Sequence, residues 1–439
     1  MALRYFAWVI CYTGGMKTPE KLFHTLLGLG NEWEITELKF DQELGEVRIR
    51  IEATEGLVAN ERCAEDGGEV TAYDHGRERE WRHLDEFEHK CYIQSRLPRM
   101  KCKDCGKIHQ VKAPWEGLSL HFTSAFEALA LLLMREMPVK KAGEVVREHD
   151  TRLWRILARH VMGAYGDLDF SGVTHVGVDE LAARKGHKYL TIFADLVKKR
   201  VLYAVPEKDS STWNTFVKEL KKHGGNRKKI SCVSMDMSAP YKKGVEDNCP
   251  NAEIVFDKFH LIAKSNKAVN DVLKAEIRRG GKYKELKETR WLWLKNPDNL
   301  TEKQSVQMER IDKENLITAT AYQMRLCLQD IYLLPTVEHA HRRLLAWCRW
   351  VRRKARQAQF NLLAAMVKVA NCIKNHLAGI LKYWEQHITN AYMEGLNNMF
   401  QMVKRRARGY RSDEHFIMMI YFVGSKLSLP ASTGFTHAK

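Results

Sequence analysis

The chain has 439 residues, too many for one hydrophobic core, so two to four domains are expected. Its 45% hydrophobic and 28% charged composition excludes a disordered or fibrous chain, and no stretch nears the roughly 18 apolar residues of a membrane span. The 71 Lys and Arg outnumber 54 acids by 17, an excess that calls for a polyanion such as a nucleic acid.

Ten cysteines are scattered, and only Cys102 and Cys105 form a tight pair, so a reducing cytoplasm suits the chain better than a disulfide-forming compartment. Residues 5–12 (YFAWVICY) resemble a signal-peptide core but are short and lack a small-residue cleavage site. The amphipathic opening MKTPEKLFHTLLGL at Met16 is the expected start, with residues 1–15 a non-native leader.

Residues 16–115 read as a β-rich module, with a helix from Pro19 to Leu29 and an alternating strand from Glu46 to Glu52. Two short knuckles follow, Cys63-Ala-Glu-Asp66 and Cys102-Lys-Asp-Cys105. Paired C-x-x-C knuckles are a zinc signature, and here Asp66 stands where a fourth cysteine is usual. Two readings stay open: zinc held by Cys63, Asp66, Cys102 and Cys105, or a formerly metal-bound module now held by packing. Cys91, His89 and His109 are spare ligands.

Residues 120–165 turn helical. Thr123 or Ser124 caps a helix with Phe126, Leu129, Leu132 and Leu133 on one face, and Met137-Pro138 ends it. A second helix spans Val139–Arg147. A third starts at Asp150 or Thr151 and exposes Arg152, Arg155 and Arg159. This is a helix-turn-helix pattern with DNA-facing arginines, although Arg147 occupies a turn position that often holds glycine; a three-helix packing unit is the alternative.

Residues 173–279 read as strands 174–179, 189–195 and 200–205, helix 211–223, strand 230–236, helix 238–248, strand 253–256 and helix 258–278. Three antiparallel strands followed by alternating helices and strands is the order of a ribonuclease-H-like core. Residues 280–385 are a helical insertion, with Trp291, Trp293, Trp347, Trp350 and Trp384 as core anchors. Residues 386–425 resume the core with a helix from Thr389 to about Arg406 and a last helix near Asp413–Val423. Residues 426–439 form a tail. The fold class is therefore multidomain, α+β and α/β.

Asp179 ends the strand THVGVDE, and Asp236 ends ISCVSMD. Adjacent strands would set these two carboxylates side by side, where a cation between them relieves their repulsion. Magnesium or manganese suits such hard oxygen donors. Glu394 is the third acid, on a helix whose Asn390, Asn397 and Asn398 share its face. Strand alternation turns Glu180 away. Paired metals held by three acids perform in-line phosphoryl transfer, and the run Lys404, Arg405, Arg406, Arg408 and Arg411 is placed to hold flanking phosphates. Between Ala340 and Arg411, 15 basic residues face two acids, a net of +13.

THVGVDE, VSMDMSAPY, FDKFHLI (256–262), RWLWLKNPDNLTE (290–302) and TNAYMEGLNNMFQMVKRRARGYR (389–411) together resemble the DDE transposases of bacterial insertion sequences. The closest likeness is to the group with an N-terminal zinc-finger-like module, a helix-turn-helix and a split ribonuclease-H-like core. The resemblance implies Asp179, Asp236 and Glu394 as the catalytic triad, with 158 positions separating the last two. It further implies magnesium, binding to terminal inverted repeats, and a dimer or larger synaptic complex on the bacterial nucleoid. Asp257 and His260 recur in it, either as auxiliary active-site residues or as a structural acid and its neighbour at a helix N-terminus. The relatives usually carry cysteine at the Asp66 position and begin near Met16. A catalytically silent DNA-binding regulator is the rival function, and intact acids at all three positions argue against it.

Overall fold

The computed structural model describes residues 18–184, 188–207, 209–279, 286–311, 316–358, 361–386 and 390–430. The expected leader, Thr389 and most of the tail lie outside them. Two compact units divide the chain, one of Met1–Gly166 with Leu427–Lys439 and one of Asp167–Lys426.

In the first unit, helix α1 (Pro19–Leu26) ends three residues before the expected Leu29. Strands β1 (Trp33–Asp41) and β2 (Glu46–Ala53) then pair antiparallel. Alternation in EVRIRIEA buries Ile49 and Ile51 completely while the intervening charged residues stay outside. After a short helix α2 (Glu55–Asn60) come β3 (Val70–His75), β4 (Arg79–Arg82), β5 (Lys90–Ser95), β6 (Pro98–Cys102) and β7 (Ile108–Gln110). They form two sheets, ordered β1-β2-β5-β4 and β3-β6-β7. Trp115 closes the core edge-on against Trp33 and Trp81, at centroid distances of 4.9 and 5.9 Å.

Three helices complete this unit: α3 (Ser124–Glu136), α4 (Val139–Val146) and α5 (Asp150–Gly166). Thr123 caps α3 by accepting the Phe126 amide at 3.2 Å. Inside the bundle the buried Glu127 carboxylate accepts from His160 at 2.7 Å and from the Leu118 and Ser119 amides at 2.9 and 2.7 Å. Burial alone would raise the Glu127 pKa, but these bonds outweigh it and hold the carboxyl below its ordinary value, so the loop before α3 is tied to α5 through one satisfied buried charge.

The second unit is built on β8 (His175–Arg184), β9 (Lys188–Asp195) and β10 (Arg200–Pro206), then α6 (Ser211–Lys222), β11 (Cys232–Met235), α7 (Ala239–Asn248), β12 (Glu253–Phe256) and α8 (Lys258–Arg278). Sheet order is β10-β9-β8-β11-β12, with β8, β9 and β10 antiparallel and β11 and β12 parallel to β8. That is the expected ribonuclease-H-like arrangement. One boundary differs: β8 runs five residues past Asp179, because β9 pairs with it along the whole hairpin, from Val176↔Asp195 to Arg184↔Lys188.

The insertion is helical throughout its described residues: α9 (Arg290–Leu294), α10 (Glu302–Glu309), α11 (Ile317–Ile331), α12 (Val337–Gln357), α13 (Ala364–Asn375) and α14 (Leu377–Gln386). Trp293, Trp347 and Trp384 are buried anchors as expected. Trp350 is only half-buried. Trp291 is a correction: it is 60% exposed, because it falls on the outer side of the single-turn helix that buries Leu292 and Trp293. The chain returns through α15 (Ala391–Arg406) and α16 (Asp413–Gly424).

Candidate active site

Parallel pairing across three strands organises the acids. Ser234 of β11 is opposite Gly177 of β8, and Met235 is opposite Phe256 of β12. Continuing the same registers brings Asp179, Asp236 and Asp257 into one row across neighbouring strands. Asp179 is thus not at the end of its own strand, as the sequence suggested. It stands where its β11 partner stops, which opens the sheet on that side.

Each acid has a defined hold. Asp179 Oδ1 accepts the Glu180 amide at 2.8 Å, and Oδ2 accepts Asn397 Nδ2 at 2.7 Å. Asp236 accepts the Ser238 amide at 3.0 Å at the start of α7. Asp257 is buried and caps α8 through the Phe259 amide at 3.2 Å. His260 Nε2 lies 3.8 Å from both Asp179 Oδ1 and Asp257 Oδ2, so it bridges two members of the row.

Burial pushes the Asp179 carboxyl up to about 6, with the negative charges of Asp236 and Asp257 adding to it. Burial raises Asp257 as well, and the Glu394 carboxylate contributes to that rise. Glu394, exposed on the first turn of α15, therefore acts on the same row. Its helix is docked by two features of the opening strand. Asn397, one turn on from Glu394, donates to Asp179, and Gly177 leaves room for Met393. A Cβ at Gly177 would come 2.8 Å from the Met393 side chain and 2.7 Å from Leu196.

The donor set fits a hard divalent cation. Asp236 and Asp257 push up the Asp179 carboxyl and Glu394 that of Asp257, although the acids do not converge into a ready coordination cluster as the knuckle ligands do, and the buried Asn397 Oδ1 has no hydrogen-bond partner among the described residues. Of the other face-sharing amides, Asn390 is buried with its Oδ1 likewise unpartnered, and Asn398 is exposed.

The two knuckles of the first unit also converge. Ligand atoms of Cys63, Asp66, Cys102 and Cys105 all lie within 4.8 Å of one another. Cys63 and Cys105 sulfurs are 3.8 Å apart, and Cys102 Sγ is 3.5 Å from both Asp66 oxygens. A tetrahedral zinc with bonds of about 2.3 Å to sulfur requires sulfur–sulfur edges of about 3.8 Å. Each knuckle turns on a left-handed glycine, Gly67 at φ 72° and Gly106 at φ 69°. The Gly68 amide, donating at 2.9 Å, leads the contacts that hold the Asp66 carboxyl far below the usual range, as a ligand needs. Cys91 is no spare ligand: it is fully buried in the core and its thiol is pushed up to about 12 by burial. His89 packs edge-on against Phe40, and His109 lies 4.0 Å from Glu61; neither joins the cluster.

The helix-turn-helix is present, and its odd turn has a physical answer. Arg147 takes the left-handed conformation at φ 56°, the backbone geometry glycine would supply. Its guanidinium is held by Asp85 at 3.1 Å and the Glu88 carbonyl at 2.9 Å. The three expected DNA-facing arginines divide. Arg152 is engaged by its neighbours, paired with Glu148 at 2.6 Å and lying 4.4 Å over the Phe122 ring. Arg159 donates to the Leu118 carbonyl at 3.0 Å. Arg155 alone of the three is exposed without a partner among the described residues.

The basic run after Glu394 divides similarly. Lys404 is bound to the Ala182 carbonyl of β8, and burial lowers its pKa. Arg405, Arg406, Arg408 and Arg411 are exposed around a turn made by left-handed Arg408 and Gly409.

A family model described as a transposase, of the DDE type and the ISL3 group, matches residues 176–420. The chain belongs to the ISL3 family of DDE transposases. As a member it is an enzyme of phosphoryl transfer on DNA, and the family implies a divalent metal. The zinc-finger of transposase IS204/IS1001/IS1096/IS1165 matches residues 59–105, spanning both knuckles. The helix-turn-helix domain of transposase family ISL3 matches residues 121–161. Two relatives extend the likeness. The transposase for insertion sequence element IS1001 of Bordetella parapertussis is 27% identical, over 77% of this chain and 82% of that one. The transposase for IS1557 of Mycobacterium tuberculosis is 26% identical, over 93% of this chain and 97% of that one. No helix among the described residues is long and apolar enough to cross a membrane.

Reasoning from sequence missed Asn397's bond to Asp179 and the row position of Asp257. The spacing of Asn397 from Glu394 hinted at the first; nothing in local periodicity hinted at the second.

Proposed function

We propose that this transposase binds the terminal inverted repeats of its insertion sequence and catalyses metal-dependent DNA cleavage and strand transfer with Asp179, Asp236 and Glu394. The observation that carries this reading is the continuation of one strand register through Asp179 and Asp236, with the Glu394 helix tied to Asp179 by Asn397 at 2.7 Å.

The three carboxylates would hold magnesium or manganese, which when bound would supply activation of the attacking water or 3′-hydroxyl and charge neutralisation at the leaving oxygen. Asn397 keeps the Asp179 carboxylate turned toward the Glu394 helix. His260, between Asp179 and Asp257, limits their mutual repulsion as an auxiliary positioning group, and Asp257 is auxiliary in the same sense. Arg405, Arg406, Arg408 and Arg411 would steady the flanking phosphates, and Arg155 would reach the end sequence from the third helix of the first unit. Zinc bound by Cys63, Asp66, Cys102 and Cys105 would keep the module rigid. Two such chains would hold two ends together in a synaptic complex.

Asp179→Ala should abolish magnesium-dependent cleavage of DNA carrying the element's ends while end binding persists. Retained cleavage would remove Asp179 from the site. Lost binding would instead mean that the substitution damages the fold.

A further inference from the structure

Helix α12 of the insertion has two opposite faces. Its buried stripe is Ala340, Leu344, Trp347, Cys348 and Val351. At about 100° per residue, Arg342, Arg349, Arg353 and Arg356 fall within a sector of about 60° on the other side, and all four are exposed. Seven of the helix's 21 residues are Lys or Arg, and its one acid, Glu338, is exposed in the first turn on the same face, beside Arg342.

Such a helix works against itself in water. Like charges at i,i+4, as in Arg349 and Arg353, destabilise a helix by a few tenths of a kcal/mol per pair. A merely solvated face would intersperse Glu with Lys. Here the face is nearly all guanidinium, the group whose planar fork grips phosphate oxygens. Ala346, exposed beside that sector between Arg342 and Arg349, adds no bulk to hold a partner off.

The stripe spans 15 positions, a rise of about 21 Å along the helix. Duplex DNA presents about one charge per 1.7 Å of its axis, so a backbone laid along α12 meets several phosphates. The helix is also firmly connected to the acid row. Arg352 bonds Asn371 of α13 at 3.0 Å, and Cys372 of α13 touches Met237, the residue after Asp236, at 3.4 Å. An α12-bound duplex is therefore held by the same body that carries the acids.

We propose that the Arg342–Arg349–Arg353–Arg356 face of α12 is a second DNA-binding surface, one that grips the phosphate backbone of a duplex whatever its sequence. It complements end reading by the first unit and does not depend on which acids are catalytic, because binding is measured without magnesium.

The test titrates a labelled duplex of arbitrary sequence with the full chain at salt concentrations from about 50 to 200 mM. Replacing the four arginines by alanine should reduce the slope of log affinity against log salt by about 0.9 per lost contact, about 3 to 4 in all. Affinity at the low-salt end should fall by more than about tenfold. The four Arg→Lys changes should retain most of the slope. A charge-matched control, Lys218, Lys221, Lys228 and Lys243 to alanine, should leave it nearly unchanged. Alanine is a better helix former than arginine, so loss of α12 is not expected, and an unshifted thermal transition confirms it. An unchanged slope in the arginine variant, or an equal loss in the lysine control, overturns the proposal.

Discussion

Asp179→Asn tests the electrostatics of the acid row without touching DNA. In the folded chain the Asp179 carboxyl is raised from 3.8 to about 6, chiefly by burial and then by Asp236 and Asp257. A native-state pKa above the unfolded value means that the folded protein binds the proton more tightly. The corresponding stability is fully present below pH about 3.8, is lost as pH rises through about 6, and is absent at neutrality. A rise from 3.8 to about 6 sets an upper bound of about 3 kcal/mol on the strain carried by ionised Asp179 at neutral pH. Asparagine cannot ionise and so escapes it. It also keeps an acceptor for the Glu180 amide, and Asn397 can turn its unpartnered oxygen toward the new amide. Thermal transitions should be followed from pH 5 to 8 in magnesium-free buffer without chelator, so that the knuckles are not stripped of the metal proposed for them. The variant should melt above the parent at pH 8, and the gap should narrow toward pH 5. Added magnesium should raise the parent and leave the variant unmoved. A variant less stable than the parent at every pH would refute the reasoning, because Asp179 would then be a stabilising partner.

Other predictions follow from the packing. Gly177→Ala should drive a methyl group into Met393 and cost about 1–3 kcal/mol by overpacking, with cleavage lost as α15 is pushed off β8; an unshifted thermal midpoint with full cleavage would contradict the close contact of 2.8 Å. Asp66→Ala should lower the zinc content of purified protein measured by elemental analysis, and Asp66→Cys should restore it. Equal zinc in all three proteins would mean that Asp66 is not a ligand.

Local chemistry made a great deal of this protein legible. Knuckle spacing marked Cys63, Asp66, Cys102 and Cys105, and they converge as a tetrahedral site requires. Caps, breaks and apolar patterns placed the three helices before Gly166 and most strands of the core within two or three residues, although α3 buries Phe126, Ala130, Leu131 and Met134 and leaves the expected Leu132 exposed. Asp179 and Asp236 stood out because acids beside buried strands have few comfortable roles.

What periodicity could not decide was which distant groups would take each polar side chain. Three arginines on one helix look alike in sequence, yet Glu148, Phe122 and the Leu118 carbonyl claim two of them, leaving Arg155 without a partner among the described residues. Lys404 reads as a phosphate contact until β8 is found beneath it. The end of β8 is set by β9, a partner whose register no single strand encodes. The sequence by itself determined the order of elements, the metal-ligand chemistry and the identity of the two strand-borne acids. Only the tertiary structure decided that Asp257 shares their row, that Asn397 fastens Glu394's helix to Asp179, and that Gly177 is small so that Met393 can approach. The physical reason is that these depend on pairing between segments tens to hundreds of residues apart, where register and side-chain competition are settled by the whole fold.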